Sequence, residues 1–194
     1  MIDTTLDRLR RHGSIEIDRF ELGTDAAPEL ETLGLLGKDA PPERLLDFYT
    51  ATNGITLLWH GTIAGAPVAG SLNILSLMLS GLRAPGDGME EPLEGVLWTN
   101  DTPEPERAEL QAMTVFESVA GRDDFITYKH GDPALAAYLV SDWEITPFPM
   151  PLDELATQLV HYGGADKARE YLLQPDWQDR LAADSELQAL FGAG

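Results

Sequence analysis

The chain has 194 residues, with 33 Asp and Glu against 13 Lys and Arg, a formal charge of −20. Hydrophobic residues make up 43%, too many for a disordered acidic chain and enough for a closed core, and cysteine is absent. Disulfides, thiolate metal centres and thiol catalysis are therefore excluded, and a charge of about −0.1 per residue opposes nucleic-acid backbones while favouring a basic partner.

The first eight residues, MIDTTLDR, carry charges where a secretory leader needs an apolar run, so a cytoplasmic protein is expected. Residues 5–11 read as a short helix with Leu6 and Leu9 on one side. Ile15, Ile17, Phe20 and Leu22 fit a strand or a second helix equally. Residues 28–36 read as a helix stopped at Gly37. The clearest helix starts at Ala40-Pro41-Pro42, repeats Leu45, Phe48, Tyr49 and Thr52 at helical spacing, and ends at Asn53-Gly54. Residues 48–82 hold no charged side chain, yet glycines, Pro67 and Asn73 break them before a membrane span could form. They read as two buried strands, 55–60 and 70–77, the first apolar on both faces and so expected to be covered on both.

Residues 83–106 are rich in Pro, Gly and acids and read mostly as loop, with Val96-Leu97-Trp98 as an apolar anchor. A strand at 113–118 and a hairpin of 125–130 with 135–140 across Gly131-Asp132-Pro133 come next. Ile145 and Phe148 suggest a short edge strand beside Pro147 and Pro149. The end is helical. One stripe holds Leu152, Leu155, Leu159 and Val160 and stops at Gly163-Gly164, and a second helix spans 165–173. After Pro175, Asp176 is expected to cap a last segment carrying Trp177, Leu181, Leu187, Leu190 and Phe191. Helices, then strands, then helices predict an α+β fold, a mostly antiparallel sheet packed against N-terminal and C-terminal helices.

The string LLDFYTATNGITLLW at 45–59, followed by GSLNILSL at 70–77, resembles bacterial members of the SUKH superfamily (the Smi–Knr type). The likeness covers roughly residues 40–175, with Tyr49, Asn53-Gly54 and Trp59 its most specific part and Asp142-Trp143 a later element similar in order. The acidic loop after Arg83 has no family counterpart. The resemblance implies an α+β binding domain over 1–175 with a helical extension at 176–194 packed on it. It also implies a non-enzymatic role: many bacterial members are immunity proteins that neutralise polymorphic or type VI secretion toxins, and others are regulatory or scaffold modules. Tyr49, Asn53, Gly54 and Trp59 themselves read as packing and capping residues rather than a site.

For a site, the charge pattern points to Glu90, Glu91, Glu94, Asp101, Glu104, Glu106 and Glu109, seven acids in twenty residues opposed only by Arg107. An immunity reading makes them a partner-binding surface for a basic toxin, with Trp98 as its apolar anchor. No cofactor and no metal are expected, because His12, His60, His130 and His161 are scattered and no Gly-x-Ser-x-Gly, Walker or His-Glu-x-x-His motif occurs. A small hydrolase using paired carboxylates is the enzymatic alternative and requires a deep pocket around a buried acid.

Overall fold

Apolar spacing sets the first helix: Ile2, Leu6 and Leu9 fall on one side and are buried. The computed structural model describes residues 2–23, 25–37, 40–82, 97–99, 101–119, 122–129 and 131–192. Over these, α1 (Ile2–Arg11) leads into β1 (Ile15–Leu22), α2 (Ala27–Leu35) and α3 (Glu43–Ala51). The hairpin β2 (Ile55–Ile63) and β3 (Ala66–Ile74) follows, then α4 (Leu77–Leu82) and α5 (Glu104–Gln111). A run of β4 (Met113–Ser118), β5 (Asp124–Lys129), β6 (Ala136–Ser141) and β7 (Glu144–Pro151) precedes α6 (Leu152–His161), α7 (Asp166–Leu172), α8 (Trp177–Ala183) and α9 (Ser185–Phe191). The strands form one seven-stranded antiparallel sheet in sequence order, so the fold is α+β.

The ambiguous stretch 15–22 is a strand, paired with β2 from Ile15↔Gly61 to Leu22↔Ile55 around a bulge after Ile17. The strand at 55–60 is not covered on both faces. Ile55, Leu57 and Trp59 are buried, whereas Thr56 and Leu58 are only half-buried and His60 is exposed on the other side. Residues 104–111, placed partly in the acidic loop by their prolines, form a helix. Pro105 stands in its first turn, where a missing N–H costs nothing, with Glu104 and Glu106 favourably near the positive helix end.

The sheet is nearly split in two. β3 and β4 pair only at Ile74↔Glu117, where Leu75 N–H also donates to Phe116 O at 3.0 Å. Further along β3 the partner is the turn between α6 and α7: Ser71 N–H donates to Gly164 O at 3.0 Å, and Gly70 bridges to Ala165. Gly164 has φ +64°, and a Cβ there would lie 1.9 Å from Ser71 O, so only glycine lets the turn sit against the strand. Trp59 locks the same point. Its indole covers Gly70, where a Cβ would lie 2.5 Å from Nε1, and Nε1–H donates to Gly163 O at 2.7 Å.

A buried ion pair fills the remaining gap. Arg169 on α7 donates from Nη1 to Glu117 Oε2 at 2.7 Å, and from Nη2 to both Glu117 Oε1 and Ser71 O. Glu117 Oε1 also accepts from Asn73 N–H at 3.2 Å. Burial works to lower the pKa of Arg169, but the adjacent Glu117 carboxylate outweighs it and raises the value.

Alternate residues of the β4–β6 strands serve two apolar clusters. Phe116, Ile126, Tyr128 and Ala137 enter the main core with α1, α3, α6 and the C-terminal helices. Met113, Val115, Phe125, Tyr138 and Val140 face a smaller cluster completed by Leu75, Leu97, Trp98 and Leu110. Phe191 meets Trp59 and Tyr162 edge-on at centroid distances of 6.0 and 5.7 Å, which ties α9 to the centre.

The segment after Pro175 folds as α8 and α9, and its side-chain cap is Asp184 rather than Asp176, which instead pairs with Arg180 at 2.6 Å. Asp184 accepts from Glu186 N–H and Leu187 N–H at 3.1 and 3.0 Å, and is held by Lys167 at 2.7 Å and Tyr171 OH at 3.0 Å. Burial works to raise the Asp184 pKa, but these donors outweigh it and lower the carboxyl below its ordinary 3.8.

Two stability predictions follow from these contacts. Arg169→Met leaves Glu117 buried and uncompensated and is expected to cost about 3–5 kcal/mol in urea unfolding. Adding Glu117→Gln, which removes the charge but keeps an acceptor for Asn73, should recover a large part of that loss. Because the Asp184 pKa is depressed in the fold, its contribution is complete above pH 3.8 and is lost as pH falls through the folded value. Asp184→Asn should therefore flatten the fall in urea midpoint below pH 3.8, while retaining an Asn cap for α9.

Candidate functional site

Glu90, Glu91 and Glu94 lie outside the described residues. The other five expected partner contacts divide sharply. Trp98 is 3% exposed and packs with Leu97, Leu110, Met113 and Val140 in the smaller cluster, so it is core rather than an anchor presented to a partner. A tight turn holds it there: Thr99 N–H donates to Thr102 Oγ1 at 2.9 Å, and Thr102 N–H to Thr99 O at 3.1 Å.

Asp101, Glu104, Glu106 and Glu109 are all exposed on or just before α5. Two of them are neutralised within the protein, Glu104 by Arg107 and Glu109 by Lys129 at 2.7 Å. Lys129 is thereby held with its pKa raised by the Glu109 hydrogen bond. Asp101 and Glu106 have no ion-pair partner among the described residues, so they carry the outward negative field of this helix.

Beside α5 lies a feature that the charge pattern did not reveal. The pairs Asp124↔Ser141 and Ser141↔Glu144 place Asp123 and the Asp142-Trp143 turn at one end of the sheet. There they rim a groove of about 480 Å³ floored by Leu97, Phe125 and Val140, with Thr99 on its wall. Phe125, Val140 and Leu97 belong to the same cluster that seats Leu110 of α5, so groove and acidic helix cover the same face of the sheet. Asp123 and Asp142 make no ion pair among the described residues. The neighbouring Arg122 is drawn instead to Asp166, at 3.8 Å.

Trp143 stands out by its backbone. Asp142 has φ +47° and Trp143 φ +69°, the left-handed pair of a two-residue hairpin turn usually filled by Asn-Gly. A bulky residue there costs about 1 kcal/mol or more, and the side chain is left 44% exposed. An exposed aromatic kept in a strained turn beside a groove is the pattern of a contact residue. The sequence signal was present: a non-glycine turn, Asp-Trp, between two apolar runs.

Two other cavities offer less. One of about 370 Å³ between the β2–β3 hairpin and α7 and α9 has Lys167 and Glu186 on its rim, already paired to each other at 3.1 Å. Another, of about 570 Å³, is lined by Arg8, Arg11 and His12. Arg8 works with burial to lower the His161 pKa, burial being the larger cause. Among the described residues there is no group of three or more His, Asp or Glu side chains placed to hold a metal ion, and no helix is long and apolar enough to cross a membrane. Tyr49 (0% exposed), Asn53 (4%) and Trp59 (2%), the family-like residues, are buried. Asn53 Oδ1 accepts from Leu77 N–H at 2.8 Å at the start of α4.

No family model, no curated protein and no solved structure matches this chain.

Relief of the turn strain gives a test of Trp143. Trp143→Gly is expected to leave the urea unfolding free energy within about 1 kcal/mol of the parent, or to raise it, because glycine adopts φ > 0 freely. A loss above about 2 kcal/mol would make Trp143 a packing residue instead.

Proposed function

We propose that this protein is a non-enzymatic, cytoplasmic immunity protein of SUKH type that binds and neutralises a basic cognate toxin through the α5 side of its sheet. One observation carries the reading. Exposed Trp143 and the carboxylates of Asp101, Glu106, Asp123 and Asp142, which have no ion-pair partner among the described residues, lie on the side of the sheet that carries α5 and the groove. A large aromatic surface gives contact area at low conformational cost, and surrounding negative charge accelerates encounter with a positive patch. The SUKH-like segment 45–59 supports the same reading from sequence, while the burial of Leu45, Tyr49, Asn53 and Trp59 gives those residues a scaffold role. Occlusion of the toxin's active cleft follows from such a face, since a nuclease or nucleotide-directed toxin is positively charged where its substrate binds.

Co-expression with the product of the neighbouring toxin gene tests this directly. Growth should be rescued by the parent protein, and survival no better than with an empty vector would overturn the proposal. Asp101→Lys together with Glu106→Lys should slow toxin association several-fold at low ionic strength and weaken its salt dependence, with the far-UV spectrum unchanged. Unchanged association at low salt would remove α5 from the interface.

A further inference from the structure

We infer that the groove beside Trp143 is a receptor for a single arginine side chain of the partner. The inference rests on the proposed binding role and names the chemistry that the face recognises. The groove combines three features that match a guanidinium on an aliphatic stem. The half-buried ring of Phe125, packed over buried Leu97 and Val140, gives an aliphatic stem an apolar surface within an otherwise polar groove. The exposed indole of Trp143 offers a face on which a planar cation stacks. Asp123 and Asp142, each one residue beyond the Asp124↔Ser141 pair at the same end of the two strands and without ion-pair partners among the described residues, supply acceptors for the donor fork.

Charge selects the sign of the occupant. The chain carries −20, and the nearest base in sequence, Arg122, is turned to Asp166, so among the described residues no base neutralises the groove's carboxylates. Shape selects arginine over lysine. A lysine ammonium is a compact, strongly hydrated point charge that loses more hydration on an indole face, whereas the planar, weakly hydrated guanidinium stacks there and presents its donors as a fixed fork. The left-handed backbone at residues 142 and 143 sets Asp142 and Trp143 side by side on a two-residue turn, so that one incoming group can reach both.

A tri-arginine peptide with capped ends is the probe, titrated into the full chain and followed by ¹⁵N spectra, with the Trp143 indole resonance identified from Trp143→Phe. Tri-arginine is expected to shift the Trp143 indole and the amides of residues 123–125 and 140–144. Tri-lysine should bind at least about five-fold more weakly, in line with the loss of stacking, and tri-citrulline should not bind. Trp143→Ala and the pair Asp123→Asn with Asp142→Asn should each lower tri-arginine affinity at least about five-fold, with the rest of the spectrum retained. Equal binding of tri-lysine, shifts confined to α5, or affinity unchanged in these variants would overturn the inference. So would shifts that depend on protein concentration without peptide, which would mark a second copy as the occupant. Failure here with growth rescue intact removes the arginine receptor alone. Arginine binding in the groove without growth rescue removes the immunity reading alone.

Discussion

The structure depends on one contact, the Trp59 indole lying across Gly70 with its N–H on the carbonyl of Gly163. It fixes the Gly163-Gly164 turn against β3 at the place where a fourth strand would otherwise continue the ladder. The turn then satisfies the strand's backbone through Ser71 N–H, and Arg169, one turn into the following helix, takes Ser71 O and the Glu117 carboxylate. A buried arginine and a buried glutamate are costly to desolvate singly, and this arrangement gives each a charged partner and additional backbone bonds. The result is a sheet of three strands and four, joined by a single residue pair and a helical turn wedged between them.

That wedge explains the division of labour across the sheet. Helices α1, α3, α6, α7 and α9 crowd the face that carries Trp59, Phe116 and Ile126, so that side is spent on stability. On the other face, β4–β7 are covered among the described residues by Leu75, residues 97–98 and α5, with the groove beside that cover. The groove's end of the sheet holds the left-handed Asp142-Trp143 turn and the carboxylates of Asp123 and Asp142, which have no ion-pair partner among the described residues. A rigid scaffold carrying a lightly covered edge is a suitable place for recognition, because loops there can vary without disturbing the core.

Much of this arrangement was legible in the sequence. Period-two and period-3.6 patterns placed most strands and helices, and Asn53-Gly54 and Gly163-Gly164 marked real chain reversals. The misreadings have physical causes. Pro103 and Pro105 read as loop residues, although proline is equally at home in a helix's first turn, so α5 was lost in the acidic stretch. Leu58 is apolar yet half-exposed, because one-sided cover cannot be told from two-sided cover in a short apolar strand. The reading of Trp98 as a contact residue relied on its acidic neighbours; the structure shows it turned inward by the Thr99–Thr102 turn. Trp143 was legible only as part of an Asp-Trp dipeptide between two apolar runs, since a left-handed φ is a property of the folded hairpin and not of composition.

Hydrogen–deuterium exchange on the complex with the proposed toxin partner tests the central claim most directly, because it reports the buried face without presupposing which residues matter. The account predicts slowed exchange in residues 97–110, 122–126 and 139–146, with the β1–β2 strands and α2 unchanged. Protection centred on the β2–β3 hairpin or on α2, with residues 139–146 exchanging as in the free protein, would contradict it.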